Sequence, residues 1–73
     1  MAGRDLADLL AAAHGLTDRE REICSLLVAG ASTGHIAATL FISAYTVQDH
    51  LKSIFAKTHV RSRVELVARL GAF

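Results

Sequence analysis

The sequence predicts an all-α fold, a four-helix bundle with an optional short helix ahead of it, on three observations. Apolar residues recur at spacings of three and four in four separate stretches, and a Ser or Thr stands just before each stretch. The chain contains no Pro and shows no alternating strand pattern. Its 73 residues suffice for one small domain, which buries a smaller share of its surface than a larger one would.

The elements follow in order. Residues 5–13 are rich in Leu and Ala, with Gly15 placed where a left-handed C-terminal cap would stand, so this stretch is either a short leading helix or a linker. Thr17 followed by Glu20 is a capping box, in which hydroxyl and carboxylate each satisfy a backbone N–H left orphaned at a helix start. A helix therefore begins at Asp18, carries its apolar stripe on Ile23, Leu26 and Leu27, and ends at Gly30.

Ser32 is the expected cap of a second, shorter helix with Ile36, Ala37 and Leu40 inward. Gly34 lies inside it and weakens it by about 1 kcal/mol relative to Ala, so packing must hold it. Phe41 and Ile42 form a tight connection, after which Ser43 caps a third helix over about 44–57 with Val47, Leu51, Ile54 and Phe55 on its core face. His59 and Val60 break it. Ser62 and Glu65 form a second capping box, opening a helix from 63 to about 70 with Leu66, Val67 and Leu70 inward and Gly71 as its stop.

Composition narrows the function classes. No apolar run approaches the roughly 20 residues a membrane helix requires, and the N-terminus lacks a secretory pattern, so a cytoplasmic domain with no membrane partner is expected. Cys24, the only cysteine, sits among Ile23, Leu26 and Leu27 and is expected to be a small buried hydrophobe. His14, His35, His50 and His59 lack metal-ligand spacing, and there is no glycine-rich phosphate loop. An enzyme, a metal, a cofactor and a small-molecule ligand are accordingly not expected.

The net charge of +1 is weak for a nucleic-acid binder, but the charges are unevenly placed. Arg4, Arg19 and Arg21 face Asp5, Asp8, Asp18, Glu20 and Glu22 in the first 22 residues, whereas Lys52, Lys57, Arg61 and Arg63 face only Asp49 in residues 43–63. The C-terminal half is the positive end, though an ordinary solvated surface explains this equally well. At about 100° per residue, Tyr45, Gln48, Asp49 and Lys52 cluster some 120° from the centre of the third helix's apolar stripe. A short helix, a brief connection and a longer helix with a polar outer face match the helix-turn-helix arrangement, a spacing that many non-DNA-binding helical pairs share.

Individual residues sharpen this. Leu16-Thr17-Asp18-Arg19-Glu20-Arg21-Glu22-Ile23, Gly30-Ala31-Ser32 with Ile36-Ala37, Leu40-Phe41-Ile42-Ser43 with Thr46-Val47-Gln48-Asp49-His50-Leu51, and Val60-Arg61-Ser62-Arg63-Val64-Glu65-Leu66-Val67 together resemble the C-terminal, GerE-like domain of LuxR-type transcriptional regulators. The resemblance runs without a gap from 16 to about 70. It divides the chain into a linker or short leading helix at 1–15 and a LuxR-type helix-turn-helix domain at 16–73.

The resemblance implies a domain that binds double-stranded DNA as a dimer, reading bases with the outer face of the third helix and self-associating through the fourth. The expected partners are DNA, a second copy held weakly in solution and more firmly on DNA, and RNA polymerase. By position, the base-reading residues are Gln48, Asp49 and Lys52, the same residues that the helical angle turns outward. Lys52 can donate to guanine O6 and N7 and Gln48 can pair with adenine; Asp49 can accept from cytosine N4 and is repelled elsewhere. Along the flank of the same helix, Thr46, His50, Ser53 and Lys57 are candidates for phosphate contacts, with Ser43 and Tyr45 at its start and Thr33 at the start of the second helix. For His50 the alternative is a side chain tucked against the first helix. Val64 and Ala68, off the apolar stripe, with Glu65 and Arg69 are the expected dimer contacts.

Four positions depart from the family pattern, which commonly has a basic residue at Gln48, an acidic one at His35 and Leu-Gly at Thr58 and His59. His59 is thus expected to take a left-handed cap without being Gly. Two rivals remain. A sigma-factor promoter-binding region shares the Leu-Thr-x-Arg-Glu opening and the Thr-Val motif but not the fourth helix, and a protein-interaction module that has kept the fold would suit the low net charge.

Overall fold

The computed structural model describes residues 14–71, so the expected leading helix lies outside the described residues, as does the packing of Leu70. Four helices occupy the described span: α1 (Asp18–Val28), α2 (Thr33–Leu40), α3 (Ala44–Thr58) and α4 (Arg63–Gly71). No strand occurs among the described residues, and the fold is the all-α arrangement that the periodicity predicts.

Each start is fixed by a side chain. At α1 the capping box closes fully: Thr17 Oγ1 accepts from the Glu20 N–H at 3.1 Å, and Glu20 Oε1 accepts from the Thr17 N–H at 2.8 Å. Ser32 Oγ accepts from the His35 N–H, and Ser43 Oγ from the Thr46 N–H. The expected second capping box is only half formed. Ser62 Oγ accepts from the Glu65 N–H, but the Glu65 carboxylate takes the Arg61 N–H at 3.3 Å, so its reach overshoots the cap residue by one.

Three helix ends share one device. After α1, α2 and α3 a left-handed residue reverses the chain, at φ 93° for Gly30, 58° for Phe41 and 59° for His59. In each case the next N–H reaches back five residues, from Ala31 to the Leu26 carbonyl, from Ile42 to Ala37 and from Val60 to Phe55. The conformation foreseen for His59 is present. For Phe41 it was not foreseen, because nothing distinguishes a Phe in a short connection from one in an ordinary turn.

Ile23, Cys24 and Leu27 of α1, Ile36 and Ala37 of α2, Val47, Leu51 and Ile54 of α3, and Leu66 of α4 form the core with Leu16 and Val60. Leu26, Leu40, Phe55 and Val67 are half-buried around it. The short α2 packs chiefly on α3, and α4 lies against α1. That packing answers the weakness introduced by Gly34. Two helix ends exceed the sequence expectation: α3 runs on to Thr58, which is fully buried, its hydroxyl donating to the Ile54 carbonyl at 2.7 Å. Such a back-bond lets a Thr occupy an apolar site without an unsatisfied donor. Likewise α4 includes Gly71 rather than stopping before it.

Candidate nucleic-acid interface

The side of α3 that faces away from the core is built by subtraction. Val47, Leu51, Ile54 and Thr58 fall inward at spacings of four, three and four, and their burial against α1 and α2 fixes the helix's rotation. Tyr45, Gln48, Asp49 and Lys52 are therefore exposed together. Among the described residues, none of the four has a hydrogen-bond or ion-pair partner. Four functional groups of different chemistry, a phenol, an amide, a carboxylate and an ammonium, thus project from one rigid helix face.

The start of this helix is ordered by its own residues. Ser43 Oγ and Thr46 Oγ1 lie 2.9 Å apart in addition to the capping bond, so both hydroxyls are fixed at the positive end of the α3 dipole. Tyr45 is 75% exposed beside them, and the preceding Phe41 is 93% exposed. His50 is half-buried, with no hydrogen-bond partner among the described residues.

Two of the expected phosphate contacts are engaged elsewhere. Glu20, only 3% exposed on α1, accepts from Ser53 Oγ through Oε2 at 2.6 Å and from Lys57 Nζ through Oε1 at 2.8 Å. Burial on its own would raise the carboxyl's pKa. The bonds from Lys57, Ser53 and the Thr17 N–H outweigh it and bring the carboxyl down from 4.5 to about 2, so it is ionised at neutral pH. Ser53 and Lys57 thus turn toward α1, away from a free flank. The sequence offered Glu20 as a capping residue; its second role depends on α3 crossing α1 so that residues 53 and 57 meet it, which no local pattern reveals.

Arg63 makes a comparable tie. Its guanidinium donates to Thr33 Oγ1 at 2.8 Å and approaches the Ala31 carbonyl at 3.5 Å, binding the start of α4 to the start of α2. Thr33, another expected phosphate contact, thereby accepts one bond and keeps its own proton to donate. Of the four cations counted in residues 43–63, Lys57 and Arg63 serve the fold, and Lys52 and Arg61 remain exposed without a side-chain partner among the described residues.

On α4, Val64, Glu65, Ala68 and Arg69 are all exposed, Val64 at 79%. Arg69 also donates to the Thr58 carbonyl at 3.2 Å, at the negative end of α3. A shallow groove beside Val64 is lined by Leu27, Gly30, Ala31, Arg63, Val64 and Val67. Cys24 is buried, and burial followed by the nearby Glu20 charge pushes its thiol up to about 11, leaving it un-ionised. Among the described residues no His, Cys, Asp and Glu group could hold a metal, and no helix is long and apolar enough to cross a membrane.

No solved structure matches the chain. It is 54% identical over 54 residues to the monoamine regulon transcriptional regulator of Klebsiella aerogenes and 38% identical over 64 residues to the transcriptional regulatory protein DesR of Bacillus subtilis. These alignments cover 74% and 88% of this chain but only 24% and 32% of those proteins, so the chain spans about a quarter to a third of their length. The spore germination protein GerE of Bacillus subtilis is 44% identical over 55 residues, 75% of this chain and 74% of its own. A family model described as bacterial regulatory proteins, luxR family, matches residues 14–70, which takes in all but the last residue of the four described helices. The chain belongs to the luxR family of bacterial regulatory proteins.

Proposed function

We propose that this chain binds double-stranded DNA in a sequence-specific manner, as the output domain of a bacterial transcriptional regulator, with α3 laid in the major groove. The observation that carries the reading is the rotation of α3: its core face is locked by four buried residues, and Gln48, Asp49 and Lys52 stand exposed and unengaged on the other side. A helix of 15 residues held this firmly can present side chains to base edges at fixed positions. Ser43, Thr46 and Tyr45 at its start, with His50 further along it and Thr33 at the start of α2, are the proposed phosphate contacts, which set its register without carrying sequence.

Self-association is assigned to α4 through Val64, Glu65, Ala68 and Arg69, where an exposed apolar residue lies beside a shallow groove. The patch is small, so pairing is expected on adjacent DNA half-sites rather than in free solution. RNA polymerase is the further partner this role requires, and the cytoplasm its place of action.

Selection of bound duplexes from a random pool tests the reading directly. A symmetric site whose binding falls steeply with salt is the expected result. Failure to enrich any sequence, or binding indifferent to salt, would overturn it in favour of a protein-interaction module. Sedimentation of free and DNA-bound protein, with Val64→Glu as the variant, tests pairing: a monomer in both conditions would remove α4 from the interface.

A further inference from the structure

Lys57 is the basic residue nearest in sequence to Lys52 on α3, and by charge alone it belongs to the duplex-binding side. The geometry points to the opposite assignment: we infer that Glu20 is a positioning residue that withholds Lys57 and Ser53 from the phosphates and so limits the charge the domain presents to DNA. This inference rests on the DNA-binding reading above.

Three observations carry it. Glu20 is sealed between α1 and α3, and its two carboxylate oxygens are both occupied, Oε1 by Lys57 and the Thr17 N–H, Oε2 by Ser53. Lys57 is the single cation on that carboxylate, and its side chain is only 35% exposed. Among the described residues no other base lies within ion-pair distance of Glu20. Moving Lys57 to a phosphate would strand a buried charge, and breaking a buried pair costs roughly a hundredfold or more in equilibrium constant. One phosphate contact contributes much less: with a slope near 0.9 per contact, it adds about eightfold in affinity at 0.1 M salt relative to 1 M. The internal partner wins. The domain therefore reads DNA with fewer phosphate contacts than its lysines suggest, which makes site choice depend more on the outer face of α3.

The test is the salt dependence of binding to a selected duplex. Glu20→Gln keeps an acceptor for the Thr17 N–H, so the cap survives while the charge holding Lys57 is lost. The expected result is a slope of log affinity against log salt steeper by about 0.9, with non-specific binding strengthened alongside. The double variant Glu20→Gln with Lys57→Met restores the parent's net charge and should restore its slope, which separates a freed lysine from a general change in field. Helix content by circular dichroism confirms that both variants are folded. An unchanged slope in Glu20→Gln, or a steeper slope that persists in the double variant, would overturn the inference. Absence of any duplex binding by the parent chain would instead defeat the DNA-binding reading itself.

Discussion

Along α3, the face turned to α1 and α2 carries Val47 and Ile54 with no exposed surface, Leu51 nearly so, and Ser53 and Lys57 tied to Glu20. The face 120° away carries Gln48, Asp49 and Lys52 without a partner among the described residues. Ser53 and Lys57 on the first face have bonds made within the fold, whereas the polar side chains of the second have none among the described residues. Substitutions on the two faces should therefore separate cleanly, the first altering stability and the second altering binding.

The largest effect belongs to the buried face. Ile54→Ala removes atoms from a site with no exposed surface and should cost about 2–5 kcal/mol, enough to leave so small a domain largely unfolded. Urea denaturation followed by circular dichroism measures it, and a loss below 1 kcal/mol would show that α3 is not anchored there. Acid should act on the same face through Glu20. Its folded pKa of about 2 lies below its ordinary 4.5, so the ionised carboxylate stabilises the fold above about pH 4.5 and this contribution is lost as the pH falls from there toward 2. The shift corresponds to roughly 3 kcal/mol across that window. Urea midpoints measured from pH 6 to pH 2 should fall for the parent and much less for Glu20→Gln; parallel curves would exclude Glu20 as the acid-sensitive group.

Most of the buried face was legible in the sequence because helical periodicity and capping chemistry act over four residues. Thr17 with Glu20, Ser32 and Ser43 each announced a helix start, and Ile23, Leu27, Val47, Leu51 and Ile54 announced what packs. The outward set of Gln48, Asp49 and Lys52 followed from the same angle. What local patterns could not supply were relations between helices. That Ser53 and Lys57 bond to Glu20 on α1, and that Thr33 accepts from Arg63 of α4, are relations of this kind. Thr58 lay beyond the expected end of the third helix, whereas its back-bond to Ile54 lets it be buried within it.

The exposed face makes the reciprocal prediction. Lys52→Ala should leave the stability measured in urea unchanged within about 0.5 kcal/mol, since the side chain is exposed and has no hydrogen-bond or ion-pair partner among the described residues. Discrimination at one base pair of the selected site should fall by about 1–3 kcal/mol. Competition between the selected duplex and single-base variants would read this out. Loss of stability without loss of discrimination would reverse the assignment of the two faces.

The smallest effect lies where the two faces meet, at the left-handed residues that bound α3. His59 and Phe41 hold φ near 58–59°, a conformation costing roughly 1–2 kcal/mol for a residue with a Cβ, while Gly30 fills the equivalent place after α1 without that cost. Glycine gives back part of the gain through the extra freedom of its unfolded chain, so His59→Gly and Phe41→Gly should each stabilise the domain by about 0.5–1 kcal/mol. The two sites then form a matched pair. His59 lies one residue beyond the buried Thr58, and its replacement should change stability alone. Phe41 is 93% exposed two residues before the Ser43 cap, so its ring adds little to the core and its replacement should yield the same gain. Thermal unfolding of the two variants side by side decides the point. A smaller gain at Phe41 than at His59 would mean that the exposed ring already stabilises the turn into α3, and that the boundary between the two faces begins one helix earlier.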